Sequence, residues 1–179
     1  EGYNDFVASA GATLTQNGGA SIQAGGDITL TSGSDMVLNG QITGGEDVYA
    51  YSGSDLDVGG TIDADGDVDL YADSNLLISG DIYAGGSVYG SARNIEQSAG
   101  TIAADGDITF RSSYDLTIDG DLDAGVDVRL YVMGGDGDGN LNIGGTIIDD
   151  DDIVIYNYTT GEIHLGSIAS VNADANADG

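Results

Sequence analysis

Residues 105–124 read DGDITFRSSYDLTIDGDLDA, and the eighty residues before them carry four further versions of the same text. Residues 25–44 are GGDITLTSGSDMVLNGQITG, 45–64 GEDVYAYSGSDLDVGGTIDA, 65–84 DGDVDLYADSNLLISGDIYA and 85–104 GGSVYGSARNIEQSAGTIAA. The period is 20 and the units abut without a gap. Working outward, residues 125–149 form a sixth unit with five extra residues around GGDGDGN, and a seventh begins at Asp150. Asp5 to Ala24 make a looser unit in front. The chain thus divides into 1–24, an irregular first coil and N-terminal segment, 25–149, regular coils with an insertion at 134–140, and 150–179, a last coil and acidic tail. A fixed short period means stacked units, each unable to bury its apolar face alone.

Stacking the units in columns shows which face that is. The fourth column is Ile28, Val48, Val68, Val88, Ile108 and Val128, and the eighteenth is Ile42, Ile62, Ile82, Ile102, Leu122 and Ile147. The twelfth and fourteenth pair Met36 with Leu38, Leu56 with Val58, Leu76 with Ile78 and Leu116 with Ile118. Apolar residues two apart mean strands with one inward face. Each unit therefore holds two short strands and a third contact near column 18. Column 16 is Gly40, Gly60, Gly80, Gly100, Gly120 and Gly145, which predicts a corner at positive φ. The fold class is all-β: a parallel β-solenoid (β-helix) of 20-residue coils, seven to eight in number and three-sided, with neighbours about 4.8 Å apart.

Composition agrees. The 179 residues include 31 Gly, no Cys and no Pro, and Pro would break ladders that need every amide. Apolar residues make up 40%, enough for a core. Three Arg and no Lys face 31 acids, a formal charge of −28, which repels nucleic acid. No apolar run approaches the roughly 20 residues of a membrane span, so membrane insertion is not expected. So acidic a surface also suits a medium rich in salt.

At LTQNGGASIQAGGDITLTSGSD, residues 14–35, and IEQSAGTIAADGDITF, residues 95–110, the chain resembles the repeats of filamentous-haemagglutinin-like bacterial adhesins. The resemblance covers roughly residues 10–130. It implies a large exported β-helix, secreted or on the cell surface, that mediates adhesion. The family's amino-terminal secretion domain carries Asn-Pro motifs, and this chain has no Pro.

Catalytic candidates are few. The single His, His164 in GEIHLG, falls on an outer strand position, and short loops leave no cleft, so no enzyme is expected. Carboxylate-only cleavage of a polysaccharide by Asp67, Asp69 and Asp107 is the weakest alternative. The third column is an Asp ladder, Asp27, Asp47, Asp67, Ser87, Asp107, Asp127 and Asp152. One reading has each carboxylate capping its own turn, and the other has Ca²⁺ bound between coils. Calcium has a sharper case at Asp136, Asp138, Asn140 and Asn142, whose alternation resembles the first half of an EF-hand loop, and at Asp174, Asn176 and Asp178.

The outward positions of the first strand gather Tyr49, Tyr51, Tyr71, Tyr89 and Tyr131 with Arg111 and Arg129, and Tyr156 and Tyr158 continue the row. Tyr is an ordinary strand residue, yet aromatic rings beside the few cations also make a contact face for glycan or a second rod. At the ends no helix-patterned cap is visible, which suggests either a segment of a longer solenoid or a subunit stacking end to end. The expected role is a non-enzymatic structural rod of a cell-surface or secreted filament or adhesin, with self, glycan or the cell surface as partner. The alternative is a Ca²⁺-dependent glycan-binding module.

Overall fold

The computed structural model describes residues 4–134, 138–166 and 170–173. They form three eight-stranded sheets in which every pairing is parallel and every neighbour comes from the next coil. The coil of residues 45–64 is representative, with strands Val48–Ser52, Leu56–Val58 and Thr61–Ala64, one in each sheet. The third contact expected near column 18 is thus a full strand, and the solenoid has three sides and eight coils. Among the described residues no helix is long and apolar enough to cross a membrane.

The front segment is a coil of the same kind. Phe6–Ala10, Leu14–Gln16 and Ser21–Ala24 pair in register with the strands of the second coil, and the offset is 22 residues in the first sheet, where Phe6 faces Ile28. The fourth coil is one residue short before its second strand, so Asn94 and Ile95 pair with Asn75 and Leu76. The residue returns before Ile102, which faces Ile82 at the normal offset.

Each coil sends its alternate residues inward. Val48, Ala50, Leu56, Val58 and Ile62 are at 0 or 1% exposure, and the same columns are buried throughout the regular coils. These residues make one continuous core along the axis. Volume is balanced between stacked neighbours rather than within a coil. Phe110, wholly buried, faces Gly90 across the first sheet, and a Cβ on Gly90 would come within 2.4 Å of its ring. The small residue makes room for the large one directly above it.

The glycine column corrects its sequence reading. Among the described glycines only Gly19, Gly100 and Gly134 have positive φ, so five of the six column members need no left-handed backbone. What excludes a side chain is the coil below: a Cβ would lie 2.2 Å from the Ala20 carbonyl oxygen at Gly40, and 1.8 Å from the Gly60 oxygen at Gly80. The main chains press together at this corner, and only hydrogen fits between them.

Candidate functional site

The Asp ladder has a structural use that differs from the expected one. The carboxylates do not cap their own turns; Asp27, Asp47, Asp67 and Asp127 each accept the backbone N–H of the residue stacked on them in the next coil, while Asp107 pairs with Arg129 instead. The Asp47 amide donates to Asp27 Oδ1 at 3.1 Å, that of Asp67 to Asp47 at 2.8 Å and that of Ser87 to Asp67 at 2.7 Å. Ser87 Oγ continues the series by accepting the Asp107 amide at 3.2 Å. A second ladder runs along the next corner. There Asp55 accepts the Asn75 amide at 3.1 Å, Asn94 accepts that of Asp115 at 3.3 Å, and Asp115 accepts that of Asn140 at 2.8 Å. At the third corner the Thr101 amide reaches Asp81 at 3.0 Å and the Thr146 amide reaches Asp121 at 3.3 Å. Charge-assisted bonds of this kind offset the repulsion between stacked carboxylates, which solvent and salt already weaken.

Other buried polar groups serve the corners too, and column patterns gave little sign of them. Ser52 and Ser112 stand in an inward column, and each hydroxyl donates to a turn carbonyl three residues on, Asp55 and Asp115, at 2.7 Å. Gln16 and Gln97 replace an aliphatic residue, and each side-chain amide ties its own turn to the next coil, Gln97 Nε2 reaching the Gly100 and Asp121 carbonyls at 3.2 Å. Each Gln precedes by three residues a glycine of positive φ, Gly19 or Gly100, which is the sequence signal that could have found them.

The calcium candidates are spread over separate partners. Asp138 bonds the Thr160 hydroxyl, Asn140 Oδ1 accepts the Glu162 amide at 3.2 Å, and Asn142 Nδ2 donates to Thr117 Oγ1 at 3.4 Å. Asp136, Asp174, Asn176 and Asp178 lie outside the described residues. Among the described residues the acids that do gather are Asp127, Asp151 and Asp152, whose oxygens lie within 4.8 Å of one another. Beside them Asp149 takes a position held by Ala in most coils and is wholly buried. Its carboxylate accepts the Val128 amide at 3.0 Å and the Asp151 amide at 3.2 Å. Burial pushes this carboxyl above the usual range, against those amide bonds.

Two of the three carboxylates weighed for catalysis are taken up by other partners. Asp67 is engaged in the ladder and Asp107 pairs with Arg129. Asp69 sits above the usual carboxylate range through burial, with Asp67 and Asp47 adding to it. His164 stands 3.0 Å from Glu162 on an exposed strand.

The tyrosines do come together. Tyr49, Tyr51, Tyr71, Tyr89, Tyr131 and Tyr156 all stand on strands of the first sheet, where Tyr51 pairs with Tyr71 and Tyr131 with Tyr156. Tyr71 and Tyr89 meet at 5.4 Å between ring centres, and Tyr131, Tyr156 and Tyr158 stack at 5.3 to 6.5 Å. Arg111 bridges the two groups, its guanidinium 5.9 Å from the Tyr89 ring centre and 5.6 Å from that of Tyr131. Toward the other end the hydroxyl of Tyr49 donates to Asp47 at 2.7 Å, and that bond pushes its pKa up to about 12. Tyr51 donates to Asp73 at 3.2 Å and is raised for the same reason.

The two arginines of this face differ. Arg129 pairs with both Asp107 and Asp127, and the bond to Asp107 holds its proton more tightly than usual. Arg111, among the described residues, pairs with no carboxylate and is held by aromatic rings alone. The arrangement is a ribbon of aromatic surface along one side of an acidic rod, with one cation unneutralised in its middle.

The family model of the haemagglutinin repeat matches residues 1–70 and 50–130, which overlap and together take in the regular coils up to the insertion. No curated protein and no solved structure matches the chain.

Proposed function

The chain belongs to the haemagglutinin repeat family, and on that premise we propose that it is a secreted or cell-surface adhesive rod that catalyses no reaction. The regular coils hold the rod rigid, and the tyrosine ribbon of the first sheet is the face that makes contact with glycan or with another surface. The observation that carries this reading is the concentration of stacked Tyr rings on one of three sheets, although any sheet accepts Tyr equally well. Rigid aromatic side chains supply contact area at little cost in conformational entropy. Parallel ladders of this kind accept further strands by β-strand addition, which is how such a rod would extend or assemble end to end.

The experiment replaces Tyr51 and Tyr71 together by Ser and measures binding of the purified protein to cells and to immobilised glycans, with circular dichroism as the check on folding. Adhesion falls while the fold is kept; unchanged adhesion sinks the proposal. A second reading, calcium-dependent glycan binding, draws support from the gathering of Asp127, Asp151 and Asp152. It differs in one result, because chelation then abolishes adhesion.

A further inference from the structure

The middle of the ribbon differs in charge from the rest of the molecule. Over four successive coils the outward positions of the first sheet past its leading Asp corner are Tyr89 and Ser91, Thr109 and Arg111, Arg129 and Tyr131, and Val154 and Tyr156. Not one is a carboxylate, in a chain with 31 acids. Arg129 is neutralised from the corner by Asp107 and Asp127, whereas Arg111 pairs with no carboxylate among the described residues. Beside Arg111 lies a cleft of about 230 Å³ lined by Arg111, Tyr131, Met133 and Tyr158. Its walls are open to solvent, with Met133 at 48% and Tyr158 at 59% exposure, and Tyr156, stacked on Tyr158, is exposed as well.

We infer that this window is a binding site for a sugar ring that bears a carboxylate, at the end of an otherwise neutral chain. A guanidinium clamped between two rings keeps its N–H edge free and oriented, the geometry that takes a carboxylate in two parallel hydrogen bonds. The stacked Tyr131, Tyr156 and Tyr158 offer flat apolar faces to the C–H face of the ring, with hydroxyls at their rims for its oxygens. Tyr89 to Tyr156 spans three coil steps, about 14 Å, so the platform accepts a short stretch of glycan along the rod axis. A polyanion is a poor fit, because one cation on a rod of formal charge −28 does not overcome the surrounding field. A second copy of the chain laid alongside is a poor fit for the same reason: a contact through the window of both copies brings two Arg111 to one seam and sets two acidic rods side by side.

This assignment rests on the tyrosine face being the contact face, and the test separates the two. The full chain is titrated with a trisaccharide ending in a hexuronate and with its carboxyl-reduced counterpart, following the Tyr ring signals by NMR. The wild type binds the acid about tenfold to a hundredfold more tightly than the reduced sugar, the worth of a charged hydrogen-bonded pair. Arg111→Gln brings the acid down to the reduced sugar's level, Arg111→Lys recovers part of the difference, and Tyr156→Ala weakens both sugars. Equal binding of the two sugars by the wild type, or full binding of the acid by Arg111→Gln, overturns the role of Arg111. If neither sugar binds while the Tyr51 and Tyr71 replacement still abolishes adhesion, the carbohydrate assignment is overturned and the contact face stands. Loss of rod–rod association in Arg111→Gln, with sugar binding unaffected, assigns the window to the acidic side of a second copy instead.

Discussion

Replacing Gly80 by Ala isolates the reason for the glycine column. Its φ is not in the left-handed region, so backbone conformation alone predicts a harmless or slightly favourable change. Stacking predicts the opposite. The new methyl would sit 1.8 Å from the Gly60 carbonyl oxygen and 2.7 Å from its carbon, where an ordinary C···O approach is roughly 3.3 Å. The two coils must part by about 1.5 Å at that corner. The amides of Ser79 and Gly80 both donate to the Val58 carbonyl, at 3.0 and 3.1 Å, so parting the coils weakens both bonds. Two hydrogen bonds at about 1 kcal/mol each, with about 1 to 3 kcal/mol of overpacking, give a loss of roughly 3 to 5 kcal/mol. Gly11→Ala is the matched control, since nothing lies within 4 Å of its Cβ position and its φ is ordinary, and its expected effect is within about 1 kcal/mol. Urea unfolding of both variants, followed by circular dichroism, reads the difference. Should Gly80→Ala unfold at the same urea concentration as Gly11→Ala, close packing of the corner is not what the glycines are for.

Three further outcomes follow from the same geometry. Asp67→Asn keeps an oxygen for the Ser87 amide and removes a charge, so it is neutral or stabilising at low salt, whereas Asp67→Ala costs about 1 kcal/mol; urea midpoints at low and high salt distinguish them, and equal effects would refute the ladder. Asp149 has a carboxyl raised by burial, so its protonated form is favoured by folding: its contribution is present in acid and is lost as pH rises through the folded pKa. Asp149→Asn therefore raises Tm at neutral pH and makes no difference below the ordinary Asp range, and a constant gap at all pH values contradicts this. Phe110→Ala opens a cavity worth about 3 to 5 kcal/mol, and Gly90→Ala, harmful alone, is partly rescued by Phe110→Leu; additive effects in a double-mutant cycle would refute their shared volume.

The 20-residue period, read with the alternation of Ile28 and Leu30, Met36 and Leu38, and Ile42 one corner later, determined the solenoid, its three sides and its outer faces. Those are local facts, because a strand's inward face is written in residues two apart. The tyrosine row was legible for the same reason. What the tertiary structure decided lies between residues about 20 apart, where chain text is silent on direction and distance. Gly80 is excluded from bearing a side chain by Gly60, Asp47 bonds the amide of Asp67 rather than its own turn, and Gly90 yields its space to Phe110. Arg111 and Arg129 are the same residue type on neighbouring strands of the same sheet, in adjacent outward columns. Only the stacking of coils sets one beside Asp107 and Asp127 and the other between Tyr89 and Tyr131, where among the described residues no carboxylate pairs with it.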